Sequence, residues 1–224
     1  MRIVIDAREY PTSTGRYIRK LLEYLEEIDA NSDREYIVML RAADFESYQP
    51  KAKNFSKVIA DYKEFTFSEQ IKFLRLIRNL KADLVHFAMV HQPVLYFRPV
   101  VTTLQDFTTL RFYNPSKNYL IFKFKQLVYL FVNIVASIKS SQLITPSQFV
   151  KTDAVHFLKS NPKKITVTLE SADKISAPAE EFKPLKNIQF LMYVGRSLPH
   201  KNLERLMDAF KLLKQKHPDL KLVL

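Results

Sequence analysis

Only two of the 224 residues are glycine, where average usage would supply about fifteen. Both fall on turns between an apolar run and an amphipathic segment. Gly15 follows Asp6 and Arg8 and opens such a segment, and a helix beginning there turns its free amides and dipole toward an anion. Gly195 precedes Arg196, with Lys201 just before a second amphipathic segment. An arginine offers a planar fork for phosphate oxygens and a lysine a compact charge. A residue without a side chain lets a ligand approach the backbone. Gly195, Arg196 and Lys201 together suit an anion; the alternative is a solvated loop with two common basic residues.

Other polar residues follow the apolar runs in the same way. Asp83–Phe87 is followed by His91, Val100–Leu104 by Gln105, Asp106 and Arg111, and Gln142–Thr145 by Ser147. Asp106 and Gln105 stand where a ligand could meet them, although Asp106 reads equally as a loop or capping carboxylate. Arg8 and Arg111 suit a charged ligand or plain ion pairs. His91 stands in a loop where a substrate could touch it, whereas His86 alternates within a strand and reads as structural. Ser147 most simply caps the helix after it. No grouping of His, Asp and Glu has metal-ligand spacing, the chain has no cysteine, and no serine lies in a nucleophile-elbow sequence.

These residues need a frame that gathers strand ends. Arg2–Asp6, Glu35–Leu40, Lys57–Ala60, Asp83–Phe87, Val100–Leu104, Gln142–Thr145 and Lys163–Leu169 read as short strands. Arg16–Ile28, with Ile18, Leu21, Leu22, Leu25 and Ile28 on one face, reads as a helix, as does Ser68–Leu80 with Ile71, Leu74 and Ile77. Lys117–Lys139 and Gln148–Leu158 are further helices. Such alternation implies a parallel sheet covered on both faces, whose ligands bind beyond the carboxyl ends of the strands. Residues 1–170 form this domain. Ser171 to Asn187, with Pro178 and Pro184 and no periodicity, reads as a linker. In 188–224 the alternation resumes as strand Ile188–Val194, helix Leu203–Gln215 and strand Leu220–Leu224, an incomplete second Rossmann-like domain.

Bulk properties narrow the setting. The net charge is +12, which suits an anionic membrane surface or phosphorylated substrates. Nucleic acid is the weakest partner, because the lysines are scattered rather than interleaved with aromatics. The first residues, Met1-Arg2-Ile3-Val4-Ile5-Asp6, lack the apolar core of a secretory signal, so a cytoplasmic protein is expected, with a peripheral place at the inner face of the membrane open to it. The greasiest stretch, Tyr119 to Ile138, is interrupted by Lys123 and Lys125. Phe124, Leu127, Val128, Phe131, Ile134, Val135 and Ile138 recur there at helical spacing, and core packing is expected in preference to membrane contact.

Several segments together resemble the family 4 glycosyltransferases of GT-B type, particularly mannosyltransferase-like members. They are Ile5-Asp6-Ala7-Arg8 with Gly15-Arg16-Tyr17, Ala82 to Phe87, Val100 to Phe107, Ile144 to Phe149 and, most specifically, Tyr193 to Leu203. The resemblance implies two Rossmann-like domains and transfer of a hexose from a nucleotide-diphosphate sugar such as GDP- or UDP-hexose. The acceptor would be a glycan or lipid-linked hydroxyl, and the transfer would proceed with retention, without a metal or cofactor. It implies donor-phosphate contacts at Gly15, Gly195, Arg196 and Lys201, and sugar or acceptor contacts at Asp106, Gln105, Arg8, His91, Arg111 and Ser147.

The chain also departs from the family. Ser13 stands where a first loop glycine is usual, and Gln105 where His is common, and Gln cannot titrate near neutral pH. The paired acidic residues that grip donor sugar and ribose lie later in the family's second domain. A fragment with little activity alone is therefore expected. A non-catalytic partner subunit and a basic membrane-surface protein stay open as other readings.

Overall fold

The computed structural model describes residues 1–12, 14–113, 118–174 and 182–224. They divide into two compact units, Met1–Phe107 with Phe124–Glu170, and Thr108–Lys123 with Ser171–Leu224.

The first unit is a seven-stranded, wholly parallel sheet: β1 Arg2–Asp6, β2 Glu35–Leu40, β3 Phe55–Ile59, β4 Leu84–Phe87, β5 Val100–Thr103, β6 Gln142–Thr145 and β7 Ile165–Val167. Their spatial order is β3-β2-β1-β4-β5-β6-β7. In β2 every residue from Tyr36 to Leu40 is buried, as a strand covered on both faces requires. In register, Ile3, Val4 and Ile5 of β1 lie between Tyr36, Ile37 and Val38 of β2 and Leu84, Val85 and His86 of β4. This α/β architecture is the one the strand-helix alternation implies.

Three helices show how the faces are chosen. Helix α1, Gly15–Asp29, buries Ile18, Leu22 and Glu26 at four-residue spacing, while Ile28 stands 78 % exposed. The buried Glu26 carboxylate accepts from Tyr48 Oη at 2.7 Å and from the amides of Lys51 and Ala52 at 2.5 and 2.9 Å, so its charge is met. Before α2, Leu74–Asn79, the chain makes one wide π turn over Glu69–Phe73. Glu69 and Phe73 face inward there, and Ile71, expected in the core, faces solvent. A single wide turn shifts the phase of the helix and defeats a 3.6-residue count.

Helices α3, Thr108–Arg111, and α4, Tyr119–Lys139, follow β5. Core packing of the apolar stripe of α4 is corrected by the structure. The buried positions are Val132, Asn133, Ala136 and Ser137, whereas Phe124, Leu127, Phe131 and Ile138 are exposed. Small side chains let the helix approach closely. Ser137 Oγ lies 2.6 Å from Ser160 Oγ, and Ser140 Oγ lies 2.8 Å from Thr102 Oγ1 on β5. Helix α5, Gln148–Leu158, is capped by Ser147, whose Oγ accepts from the Val150 amide at 3.2 Å.

The second unit holds β8, Phe190–Met192, paired in parallel with β9, Lys221–Val223, and α6, Leu203–Lys216. No residue of β8 or α6 is buried. Its strands match the expected positions with narrower limits. Of the segment expected to be a linker, 175–181 lie outside the described residues.

Candidate functional site

The strand order reverses direction at β1, with β2 on one side and β4 on the other. This is where an open parallel sheet leaves a crevice past its carboxyl ends. The loops after β1 to β4 deliver Arg8, Glu9, Arg41, Glu64 and His91 there.

Arg8 is buried and fully engaged. Nε donates to Asp6 Oδ1 at 2.9 Å, and Nη2 to Asp6 Oδ2 at 2.7 Å and Glu69 Oε1 at 2.9 Å. Nη1 donates to the Tyr62 carbonyl at 2.9 Å, and the guanidinium lies 3.9 Å from the centre of the Phe73 ring. Burial works against the charge, but Asp6 and then Glu69 outweigh it and hold the Arg8 pKa above its ordinary value. With one cation between two carboxylates, burial pushes Glu69 up despite Arg8. The structure therefore corrects the placement of Arg8 as an acceptor-binding cation: its donors are spent inside the fold.

A second cluster sits beside it. Arg41 donates to the Arg8 carbonyl at 3.0 Å, to Glu9 Oε1 at 3.3 Å and to Glu64 Oε1. Ligand atoms of Glu9, Glu64 and His91 lie within 4.8 Å of one another. Burial and the neighbouring Glu64 raise the Glu9 pKa. Burial, and then the charge of Arg8, lower that of His91 to about 4, so the ring is neutral at pH 7. These residues have the donor types of a cation site, drawn from three loops that no sequence spacing links. Arg41 already supplies the positive charge between the two carboxylates.

A third group joins β4, β5 and α1. Thr103 Oγ1 lies 3.0 Å from both Tyr17 Oη and His86 Nε2. Burial lowers the His86 pKa to about 4 and raises that of Tyr17. His86 is thus a neutral, hydrogen-bonded structural histidine. Just beyond, Gln105 Nε2 and Thr145 Oγ1 are buried without a hydrogen-bond partner among the described residues. Such groups in a native fold call for an explanation, and Gln105 Nε2 is a donor held ready at the end of β5. Asp106 is exposed, and its carbonyl accepts from Tyr129 Oη at 3.1 Å. Arg111 is exposed at the end of α3. Ser147 spends its hydroxyl as the cap already described.

The Gly15 amide donates to Thr12, at 3.0 Å from both its carbonyl and its Oγ1. A Cβ at Gly15 would lie 2.1 Å from the Glu9 carbonyl oxygen and 2.3 Å from that of Tyr10. The glycine is demanded by the folding of its own loop, which corrects the assignment of its amide to a phosphate. Ser13 lies outside the described residues.

In the second unit the turn after β8 holds Gly195, Arg196 and Lys201, all exposed. Neither cation makes an ion pair among the described residues. The turn is shaped by Tyr193 Oη, which donates to the Arg196 carbonyl at 3.1 Å, and by Leu198, whose amide donates to the same oxygen at 3.0 Å. A short 3-10 turn, Pro199–Lys201, leads to Asn202 and α6, whose first amides donate no hydrogen bond to the Asn202 side chain. Two cations without an ion pair among the described residues thus stand before a helix start whose first amides lack a side-chain cap. Elsewhere, a groove of about 720 Å³ runs between α1 and Ser47–Ala52. It is walled by the structural Glu26–Tyr48 pair, with Tyr10 of the loop after β1 also in its lining.

Sequence reasoning missed Glu9, Arg41, Glu64 and Glu69 altogether. Tyr17 stands inside the Gly15-Arg16-Tyr17 segment without a role being read for it.

No protein-family model matches the chain, and no curated protein matches it by sequence. Solved structures do match in shape. A lipopolysaccharide outer core galactosyltransferase, WaaB in its apo form, superposes with a TM-score of 0.50 at 12 % identity, over 88 % of this chain and 53 % of its own. MnaA of S. aureus, solved with UDP, superposes with a TM-score of 0.50 at 13 % identity, over 99 % of this chain and 61 % of its own. The chain thus spans between half and two thirds of these proteins. At such identity the likeness establishes the fold, Rossmann-like α/β of GT-B type.

Proposed function

We propose that this chain serves glycosyl transfer and that the turn Gly195–Lys201 holds the diphosphate of a nucleotide sugar. The two cations of that turn, unpaired among the described residues and set before the start of α6, carry the reading. The donor is a GDP- or UDP-hexose, mannose-like by the family resemblance, and the acceptor a glycan or lipid-linked hydroxyl. A lipid-linked acceptor sets the reaction in the cytoplasm at the inner face of the membrane. Retention at the transferred carbon and independence of metal come with the resemblance to family 4. Breaking the sugar–phosphate bond leaves charge growing on the diphosphate, and cations placed there favour the transition state over the ground state. Arg196 would fork two phosphate oxygens and Lys201 would neutralise a third. Gln105, Asp106, His91 and Arg111 remain the proposed contacts for sugar and acceptor.

The test is equilibrium binding of UDP and GDP at low salt. Charged hydrogen bonds contribute about 1.5–3 kcal/mol, so Arg196→Ala and Lys201→Ala should each weaken binding roughly tenfold or more. Unchanged affinity in both would sink the assignment. A second reading, a subunit that binds the sugar nucleotide without transferring it, draws on Gln105, which can hold a hydroxyl but cannot move a proton. Transfer that appears only when another protein is added would favour it.

A further inference from the structure

We propose that the exposed stripe of α4 docks the protein flat on an anionic phospholipid surface. Leu120, Phe124, Leu127, Phe131 and Ile138 are each between 58 and 76 % exposed. Counted at 100° per residue they fall within one narrow stripe of the helix. Five large apolar side chains in one row exceed what a soluble monomer ordinarily shows, and such a patch marks an interaction surface.

The partner follows from charge. Between Asp106 and Asp153 the chain contains Arg111, Lys117, Lys123, Lys125, Lys139 and Lys151, and no acidic residue. An apolar row on a segment of wholly basic character suits an interface with acyl chains below and anionic headgroups beside it. The same charge opposes a second copy, since pairing two such stripes would set like charges together.

The 21 residues of α4 are long enough to cross a bilayer, but the opposite face holds it to the sheet. Ser137 and Ser140 bond to Ser160 and Thr102. Lys164 Nζ donates to the carbonyls of Ser137 and Ile138, both at 3.1 Å. Crossing would tear these polar contacts out of the fold, so the helix lies in the interfacial plane.

The chain contains no tryptophan, so Phe131→Trp supplies a single reporter on the stripe and Tyr24→Trp a reference on α1. The 224-residue protein would be floated with vesicles of phosphatidylcholine, and with vesicles in which a third of that lipid is phosphatidylglycerol. Expected are flotation with the anionic vesicles alone and a blue shift of the reporter at position 131 but not at 24. Leu127→Asp/Phe131→Asp should bind at least tenfold more weakly. Lys123→Gln and Lys125→Gln should each cost roughly fivefold. Equal binding of the double aspartate variant, equal binding to neutral vesicles, or no binding would overturn the proposal. So would a shift at position 131 that grows with protein concentration in the absence of vesicles. Arg196→Ala should leave flotation unchanged, so this surface and the nucleotide site stand or fall separately.

Discussion

The rim beyond β1 and the turn beyond β8 both follow a parallel strand, and both carry an arginine close to a glycine. They use them in opposite ways. At the first rim Arg8 is buried, bonded to two carboxylates and two carbonyl groups, and Gly15 is wedged against the carbonyls of Glu9 and Tyr10. At the second turn Arg196 and Lys201 face solvent, and the atoms nearest a Cβ at Gly195 belong to the Tyr193 side chain, its hydroxyl 2.8 Å away. A charge saturated by its own fold builds shape, whereas one left open is available to a ligand. Residue type and position relative to the strand do not distinguish the two cases. Partner count does.

The sharpest way to break this contrast is to remove the saturated charge. Arg8→Met leaves Asp6 and Glu69 buried without their cation, and breaking a buried pair costs about 3–5 kcal/mol. Urea unfolding should show a loss of that size. Arg196→Met, at an exposed site, should change stability by no more than about 0.5 kcal/mol. Equal effects of the two substitutions would erase the distinction.

The glycines offer a smaller version of the same test. Gly15→Ala must push backbone carbonyls apart, and overpacking of that kind costs roughly 1–3 kcal/mol. Gly195→Ala meets the end of a side chain that can turn aside, although its φ of 157° adds some strain. Its cost in urea should fall below that of Gly15→Ala, and its effect should show in nucleotide affinity instead.

How much of this was legible depended on how local the cause is. β1, β2, β6 and α5 were read to the residue because each is a continuous apolar run or is bounded by a cap such as Ser147. The inward face of α4 was read backwards. Periodicity finds a stripe, but where a helix is apolar nearly all round it cannot say which side is pressed to the sheet. There the small Ala136, Ser137 and Ser140 decided, through close approach and hydroxyl pairs, against the larger Phe124 and Phe131. The cluster of Glu9, Arg41, Glu64 and His91 was invisible, because four loops contribute one residue each and only the strand order brings them together. The Gly195–Lys201 turn could be proposed as a unit from the sequence because its residues are neighbours there.

The last effect appears only as pH is lowered, and it concerns histidine in the saturated rim. His86 keeps a folded-state pKa near 4, against about 6.5 for an unfolded histidine. As pH falls below that value the unfolded chain takes up a proton and the folded chain does not. The stability contributed is therefore complete above pH 6.5 and is lost as pH falls toward 4. The slope approaches about 1.4 kcal/mol per pH unit within that window. Glu9 and Glu69, whose pKa values burial raises, act in the opposite sense, so the total slope mixes several groups. Comparing wild type with His86→Gln separates them, since the glutamine keeps a hydrogen bond to Thr103 and has nothing to titrate. Urea midpoints between pH 4.5 and 7 should fall more steeply for wild type than for the variant. Parallel curves would mean that His86 takes up its proton at the same pH in the folded and unfolded chain, and that burial does not hold it neutral.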